Sequence, residues 1–130
     1  MKKLLLDTSV IIDFLRSKNK QTTLLLRLVK EDLYISIITH VELYAGRSVW
    51  EKSNARKELE DLLSGLTILP LEEEISKKAG EMNVKNNQIS LLDCIIGASA
   101  LHHGLELVTF NIKEFRMIPS LILYQNIAVN

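Results

Sequence analysis

Short apolar runs alternate with longer amphipathic stretches along the whole 130-residue chain. The apolar runs are rich in leucine, isoleucine and valine, which is typical of strands buried on both faces of a sheet. They predict strands over residues 3–7, 33–38, 66–69 and 105–109, with a candidate fifth strand over 121–124.

The stretches between these strands repeat apolar residues at helical spacing. They predict helices over residues 8–16, 21–31, 39–46, 50–63, 72–86 and 90–103. Because strands that alternate with helices require crossover connections, the pattern predicts an α/β fold. We expect a mostly parallel sheet of four to five strands with helices on both faces.

The composition is that of an ordinary globular protein, with 47% hydrophobic and 25% charged residues. The length suits a single domain over residues 1–130. A lone cysteine, Cys94, excludes an internal disulfide framework and an all-cysteine metal site. The leucines that follow Lys2 and Lys3 end at Asp7, too early for a signal peptide, and no apolar run could span a membrane. We therefore expect a soluble cytoplasmic protein with no membrane partner.

Charge does not by itself indicate a nucleic-acid partner. The 16 basic and 16 acidic residues cancel, which argues against binding through bulk positive charge. Residues 1–57 nevertheless carry a net charge of +5 and residues 58–130 a net charge of −5. A basic surface opposite an acidic one is compatible with this division, and so is charge spread over solvated helices.

Several acidic residues fall where predicted strands end or predicted helices begin. Asp7 ends the first apolar strand, Glu42 lies in the first turn after the second strand, and Asp93 begins an otherwise apolar helix. Asn111 and Glu114 follow the fourth strand. In a parallel α/β sheet these positions meet along one edge, where ligand sites form.

Carboxylates gathered at one edge would repel one another unless a cation neutralised them. A ligand set made only of oxygen atoms favours Mg²⁺ or Mn²⁺ over zinc. Such a cation can activate water for the hydrolysis of phosphodiesters.

Helix capping is the competing interpretation of the same acids. Thr39 with Glu42, and Ser90 with Asp93, both have the spacing of a capping box. Asp7 is compatible with an Asx-turn that leads into the next helix. The spacing alone leaves the two interpretations open.

Four sequence motifs carry a family resemblance over the whole chain. They are LLLDTSVIIDFL around Asp7, SIITHVELYAG around Glu42, LLDCIIGASA around Asp93 and LELVTFNIKEF, which contains Thr109, Asn111 and Phe115. In this order and spacing, the chain resembles the PIN-domain ribonucleases, and specifically the toxin component of VapBC-type toxin–antitoxin pairs.

The resemblance implies a PIN-like three-layer α/β/α fold and a set of site residues. Asp7, Glu42 and Asp93 would form the catalytic acidic metal site. Thr8 or Ser9 would supply a nearby hydroxyl group, while Thr109 and Asn111 would support the site.

Three positions near these motifs leave roles open. Asn111 stands where many relatives have a fourth aspartate, so the site is compatible with one or two metal ions, and Glu114 is either a substitute ligand or a surface residue. Arg47 is a candidate contact for an RNA phosphate. His102 and His103 lack the spacing of metal ligands, and we expect them only to interact with the negative end of their helix.

The function implied by the resemblance is that of a Mg²⁺- or Mn²⁺-dependent endoribonuclease toxin. Its substrate would be tRNA or another structured RNA. The implied partners are a second copy of the chain and a VapB-like antitoxin, with operator DNA bound only through the antitoxin. The alternatives are a PIN nuclease in RNA processing and a non-catalytic binding module whose acids cap helices.

Overall fold

The structure is a computed structural model that describes residues 1–125. Its strands are β1 (Lys3–Leu6), β2 (Asp32–Ser36), β3 (Thr67–Leu69) and β4 (Glu106–Val108). They form one parallel sheet in the order β3-β2-β1-β4, which places β1 between two partners. The predicted α/β class and parallel sheet are therefore confirmed.

Hydrophobic layers cover both faces of this sheet. Leu4 and Leu6 of β1 belong to one buried cluster, while Leu5 between them belongs to the other. All three are fully buried. The uninterrupted run of leucines follows from this position, since both faces of a central parallel strand are covered.

Eight α-helices and one short 3₁₀ turn connect or flank the strands in residues 1–125. The helices are α1 (Thr8–Arg16), α2 (Leu24–Arg27), α3 (Ile37–Tyr44), α4 (Arg47–Glu51), α5 (Ser53–Leu63), α6 (Glu73–Lys85), α7 (Leu91–His103) and α8 (Ile112–Phe115). Within the described residues, no helix has the length and apolar character needed to cross a membrane.

The prediction of one helix over residues 21–31 is wrong. A 3₁₀ turn (Lys20–Thr22) precedes the four-residue helix α2. Thr23, between them, has an extended backbone, and its hydroxyl group donates a hydrogen bond to the Lys20 carbonyl over 2.7 Å. This local side-chain bond competes with a continuous helical ladder.

Two further helix boundaries differ from the sequence pattern. The predicted helix over residues 50–63 is divided by Lys52, whose extended backbone separates α4 from α5. The helix expected to open at Thr39 begins two residues earlier, at Ile37. Ser36 caps it, because the Ser36 hydroxyl group accepts a hydrogen bond from the Ile38 amide over 3.0 Å.

The candidate fifth strand is reduced to a single bridge. Leu123 pairs in parallel with Leu107 of β4. The Leu107 amide donates to the Ile122 carbonyl, and the Tyr124 amide donates to the Leu107 carbonyl, each over 2.9 Å. Since β4 has only three residues, it offers a short edge for further pairing.

Two helical glycines provide a test of the packing around α7. A Cβ atom at Gly80 in α6 would meet nothing within 4 Å, whereas one at Gly97 in α7 would lie 2.5 Å from Cδ1 of the buried Ile118. We expect Gly80→Ala to raise the free energy of unfolding by about 0.5–1 kcal/mol, because alanine loses less backbone entropy. The free energy of unfolding of Gly97→Ala should be lower than that of Gly80→Ala by about 1–3 kcal/mol, because the buried Ile118 side chain must move away from the new methyl group.

Urea denaturation of both variants and the parent chain measures this difference. Equal stabilisation by the two substitutions would contradict the tight contact between α7 and Ile118.

Candidate active site

Asp7 lies where β1 ends and α1 begins, and its side chain is almost completely buried, with 3% of its surface exposed. Its Oδ2 atom accepts hydrogen bonds from the hydroxyl groups of Ser9 over 2.8 Å and Thr109 over 2.7 Å. The carboxylate makes no capping hydrogen bond to α1. The Asx-turn interpretation of Asp7 is therefore wrong.

Thr109 joins the end of β4 to this carboxylate. It is fully buried, and its Oγ1 atom also accepts a hydrogen bond from the Asn111 amide over 2.9 Å. Ser9 makes a parallel connection, because its Oγ atom accepts from the Phe110 amide over 3.2 Å. The two hydroxyl groups thus fix the Asp7 carboxylate between the start of α1 and the residues after β4.

Glu42 lies in α3 and is held from α1. The Thr8 hydroxyl group donates a hydrogen bond to Glu42 Oε1 over 2.5 Å, and the Thr39 hydroxyl group lies 3.0 Å from the same Thr8 oxygen. Because Ser36 is the N-cap of α3, Thr39 and Glu42 do not form a capping box. That interpretation of Glu42 is wrong.

Asp93 lies in the first turn of α7 and is partly buried. The Ser90 hydroxyl group accepts a hydrogen bond from the Asp93 amide over 3.1 Å, so Ser90 caps this helix as predicted. Burial raises the pKa of the Asp93 carboxyl group, and the negative charges of Asp7, Glu42 and Glu114 raise it further. A hydrogen bond with Ser90 acts in the opposite direction.

Acids from three other elements contribute to the raised pKa of Asp93. Asp7 follows β1, Glu42 lies in α3, Asp93 in α7 and Glu114 in α8. Desolvation and like charges both disfavour the ionised form, which is the behaviour of carboxylates that share a confined site.

These carboxylates do not converge on a single point. Within residues 1–125, only Glu72, His102 and His103 bring three such ligand atoms all within 4.8 Å of one another. Asp7, Glu42 and Asp93 therefore do not bring one carboxylate oxygen each within 4.8 Å of the other two. Sequence reasoning missed the Glu72 group, since its members are distant in the chain.

The remaining predicted positions lie at the surface. Asn111 is exposed at the start of α8, and Glu114 is partly buried three residues later. Arg47 is the first residue of α4; its side chain is 86% exposed and pairs with Glu51 over 3.9 Å.

The sequence pattern of the PIN domain matches residues 4–120 of the chain. The chain belongs to the PIN-domain family. Similar members include Ribonuclease VapC10 of Mycobacterium tuberculosis, which is 32% identical over 123 residues, covering 91% of this chain and 90% of that protein. Ribonuclease VapC1 of Rickettsia felis is 34% identical over 128 residues, covering 91% of this chain and 92% of that protein.

The chain is also similar in structure to chains of solved toxin–antitoxin complexes. VapBC2 from Rickettsia felis, bound to a promoter DNA fragment, has a chain that superimposes with a TM-score of 0.77 at 28% identity, covering 93% of this chain and 96% of that one. A toxin–antitoxin complex from Klebsiella pneumoniae gives a TM-score of 0.76 at 28% identity, covering 92% and 96%. The predicted resemblance to VapC toxins is confirmed.

Asp93→Asn tests the electrostatic coupling of the site. In EDTA at pH 7, we expect the substitution to raise the free energy of unfolding, because it removes a charge that burial and three neighbouring carboxylates disfavour. The pKa of Asp93 is higher in the folded chain than its ordinary value of 3.8. The advantage of the variant is therefore complete above the folded pKa, shrinks as the pH falls through it, and vanishes below about 3.8.

Urea denaturation over a pH series measures this effect, with Asp13→Asn on the exposed side of α1 as the matched control. A stability change in Asp93→Asn that is the same at every pH would contradict the coupling.

Proposed function

We propose that the chain is a metal-dependent endoribonuclease toxin of the VapC type, which hydrolyses RNA phosphodiester bonds with Mg²⁺ or Mn²⁺. The observation that carries this proposal is a pair of acids held beside the start of α1: Ser9 and Thr109 fix the Asp7 carboxylate, and Thr8 holds Glu42. The negative charges of both acids also act on Asp93. The names of the curated relatives, Ribonuclease VapC10 and VapC1, support the same activity. A protein whose acids only cap helices is disfavoured, because Asp7 makes no capping bond and Glu42 lies beyond the capped turn.

The residues present fit a hard divalent cation. All the candidate ligands offer oxygen, the donor that Mg²⁺ and Mn²⁺ prefer. Among residues 1–125, the hydrogen bonds to the Asp7 side chain are accepted by Oδ2, which leaves Oδ1 for a cation. Asp7 and Asp93 would hold the ion, and Glu42 would hold it directly or through water.

When bound, the ion supplies a polarised water and offsets charge that develops on the phosphate. The protein contributes preorganisation. Thr109 and Ser9 fix the Asp7 carboxylate in one orientation, as outer partners of metal ligands generally do. Thr8 holds Glu42. We assign Glu42 the role of accepting the proton of the water that would attack phosphorus.

Glu114 takes the role that an aspartate at position 111 has in many relatives. Its charge reaches Asp93, and it is partly buried, whereas Asn111 is exposed and carries no charge. We assign Glu114 as the fourth acid and Asn111 as a neutral support at the rim.

Arg47 is proposed as a contact for an RNA phosphate outside the acidic centre. Its guanidinium group is 86% exposed and its pairing with Glu51 is long, so it can reorient toward a ligand. An exposed arginine supplies the positive charge that phosphate recognition requires.

The partners follow from the similar complexes. One similar structure is a VapBC pair with promoter DNA and another is a toxin–antitoxin complex. We propose that a VapB-like antitoxin binds this chain and blocks its acidic centre, and that operator DNA is bound through that antitoxin. The active form would be a cytoplasmic homodimer in which residues 1–130 form a single PIN domain.

Asp7→Asn tests the reaction. The substitution keeps the size of the side chain but removes a ligand charge, and loss of even an outer partner of a metal site reduces activity about 10- to 100-fold. We expect Asp7→Asn to reduce RNA cleavage by at least about 100-fold. Purified chain is incubated with total RNA and Mn²⁺ or Mg²⁺, and cleavage products are sequenced.

EDTA and Asp13→Asn serve as the negative and the matched control. Discrete cleavage that survives in both EDTA and Asp7→Asn would overturn the proposed metal-dependent mechanism.

Glu114→Gln tests the fourth acid. We expect it to weaken Mn²⁺ binding by about tenfold or more, because the ion loses one neutralising charge. Asn111→Asp should strengthen Mn²⁺ binding by adding charge at the rim. Calorimetric titration measures the Mn²⁺ affinity of both variants. Glu106→Gln is the control, since Glu106 forms an ion pair with Lys2 and is not one of the site acids. An unchanged affinity for Mn²⁺ in Glu114→Gln would show that Glu114 is a surface residue and not the fourth acid of the site.

A further inference from the structure

A second group of metal-ligating side chains lies at the opposite end of α7 from Asp93. His102 and His103 are the last two residues of α7, and Glu72 is the N-cap of α6. From Asp93 to this end the helix rises by about 14 Å, at 1.5 Å per residue. The group is therefore spatially separate from the acidic centre.

The two imidazole rings face one carboxylate oxygen. Glu72 Oε1 lies 3.4 Å from His103 Nε2 and 3.8 Å from His102 Nε2, and one ligand atom from each residue lies within 4.8 Å of the other two. The side chains of consecutive helical residues point about 100° apart. His102 and His103 therefore approach the same Glu72 oxygen because of where α6 begins.

These distances suit a zinc-sized ion. Ligands about 2.0–2.1 Å from a tetrahedral ion lie roughly 3.3 Å from one another, so only small side-chain movements would complete the geometry. Two imidazoles and one carboxylate are also a donor set found in zinc proteins with an open fourth position.

We propose that Glu72, His102 and His103 form a surface site for a borderline transition-metal ion such as Zn²⁺ or Cu²⁺. Imidazole nitrogen favours these ions, whereas the all-oxygen acidic centre favours Mg²⁺ and Mn²⁺. The bound ion links the start of α6 to the end of α7. The proposal is independent of the nuclease activity.

Imidazole NMR provides the first test, because the chain has only three histidines. His102 and His103 belong to the proposed site, while His40 lies in α3, two residues from Glu42. Substoichiometric Cu²⁺ added to tag-free protein should broaden the resonances of His102 and His103 and leave that of His40 sharp. Broadening of His40 first would show that the ion prefers the acidic centre, and would overturn the proposal.

Calorimetric titration with ZnCl₂ provides the second test. The double substitution His102→Gln and His103→Gln should remove one binding event, and Glu72→Gln should weaken that event by at least about tenfold, as ligand changes do. His40→Gln is the matched control and should keep it. Because His102, His103 and Glu72 are exposed, circular dichroism should show that all variants remain folded.

Zinc should also raise the thermal midpoint of the parent chain and of His40→Gln by more than it raises that of the double variant. The same zinc titration in the double variant and the parent would leave Glu72 as only an ion-pair partner of protonated histidine, and would overturn the proposal. Loss of RNA cleavage in Asp7→Asn bears on the acidic centre alone, so the two hypotheses fail separately.

Discussion

The burial of β1 between two parallel partners is the constraint on which the site depends. Leu4, Leu5 and Leu6 are fully buried, and their backbone pairs with β2 on one side and β4 on the other. This fixes the point at which Asp7 leaves the sheet. The Asp7 amide donates to the Val108 carbonyl over 2.9 Å, and its carboxylate is held from Thr109, so the end of β4 is fixed at the same place. A central strand thus positions a buried acid more firmly than a loop could.

The acidic centre opposes folding in a way that a cation would relieve. Burial and the charges of Asp7, Glu42 and Glu114 raise the pKa of Asp93, so its ionised form is less favourable in the folded chain than in the unfolded chain. Functional sites commonly carry such local destabilisation, and the surrounding structure offsets it. Here the hydroxyl groups of Thr8, Ser9 and Thr109 hold the carboxylates in place without neutralising them. Outer hydrogen-bond partners of this kind are typical of carboxylates that ligate metal ions.

An acidic residue near the start of a helix can either cap that helix or serve in catalysis. The hydrogen bonds in the structure distinguish these two roles. Ser36 and Ser90 accept the amide hydrogen bonds at the starts of α3 and α7. Serines in these positions leave the carboxylates of Glu42 and Asp93 available for other roles. The spacing in the sequence could not distinguish the cases, since Thr39 with Glu42 has the same spacing as Ser90 with Asp93 and only the second pair contains a cap. A backbone boundary that shifts by two residues reverses the interpretation of Glu42.

Periodicity and chain order by themselves determined the α/β class and the parallel sheet. They also predicted that Asp7, Glu42 and Asn111 lie along one edge of the sheet, which Asp93 can reach from the start of its helix. These features depend on local patterns: buried parallel strands are continuously apolar, and crossovers bring the ends of strands together. Tertiary structure alone decided which hydroxyl groups hold the acids, that the charge of Glu114 acts on Asp93, and that Glu72 lies beside two adjacent histidines. Those contacts join residues that are distant along the chain, such as Thr109 and Asp7, so no local spacing encodes them. The divided helix over residues 21–31 involves a local contact instead: the Thr23 hydroxyl group donates to the Lys20 carbonyl, a bond that competes with a continuous helix.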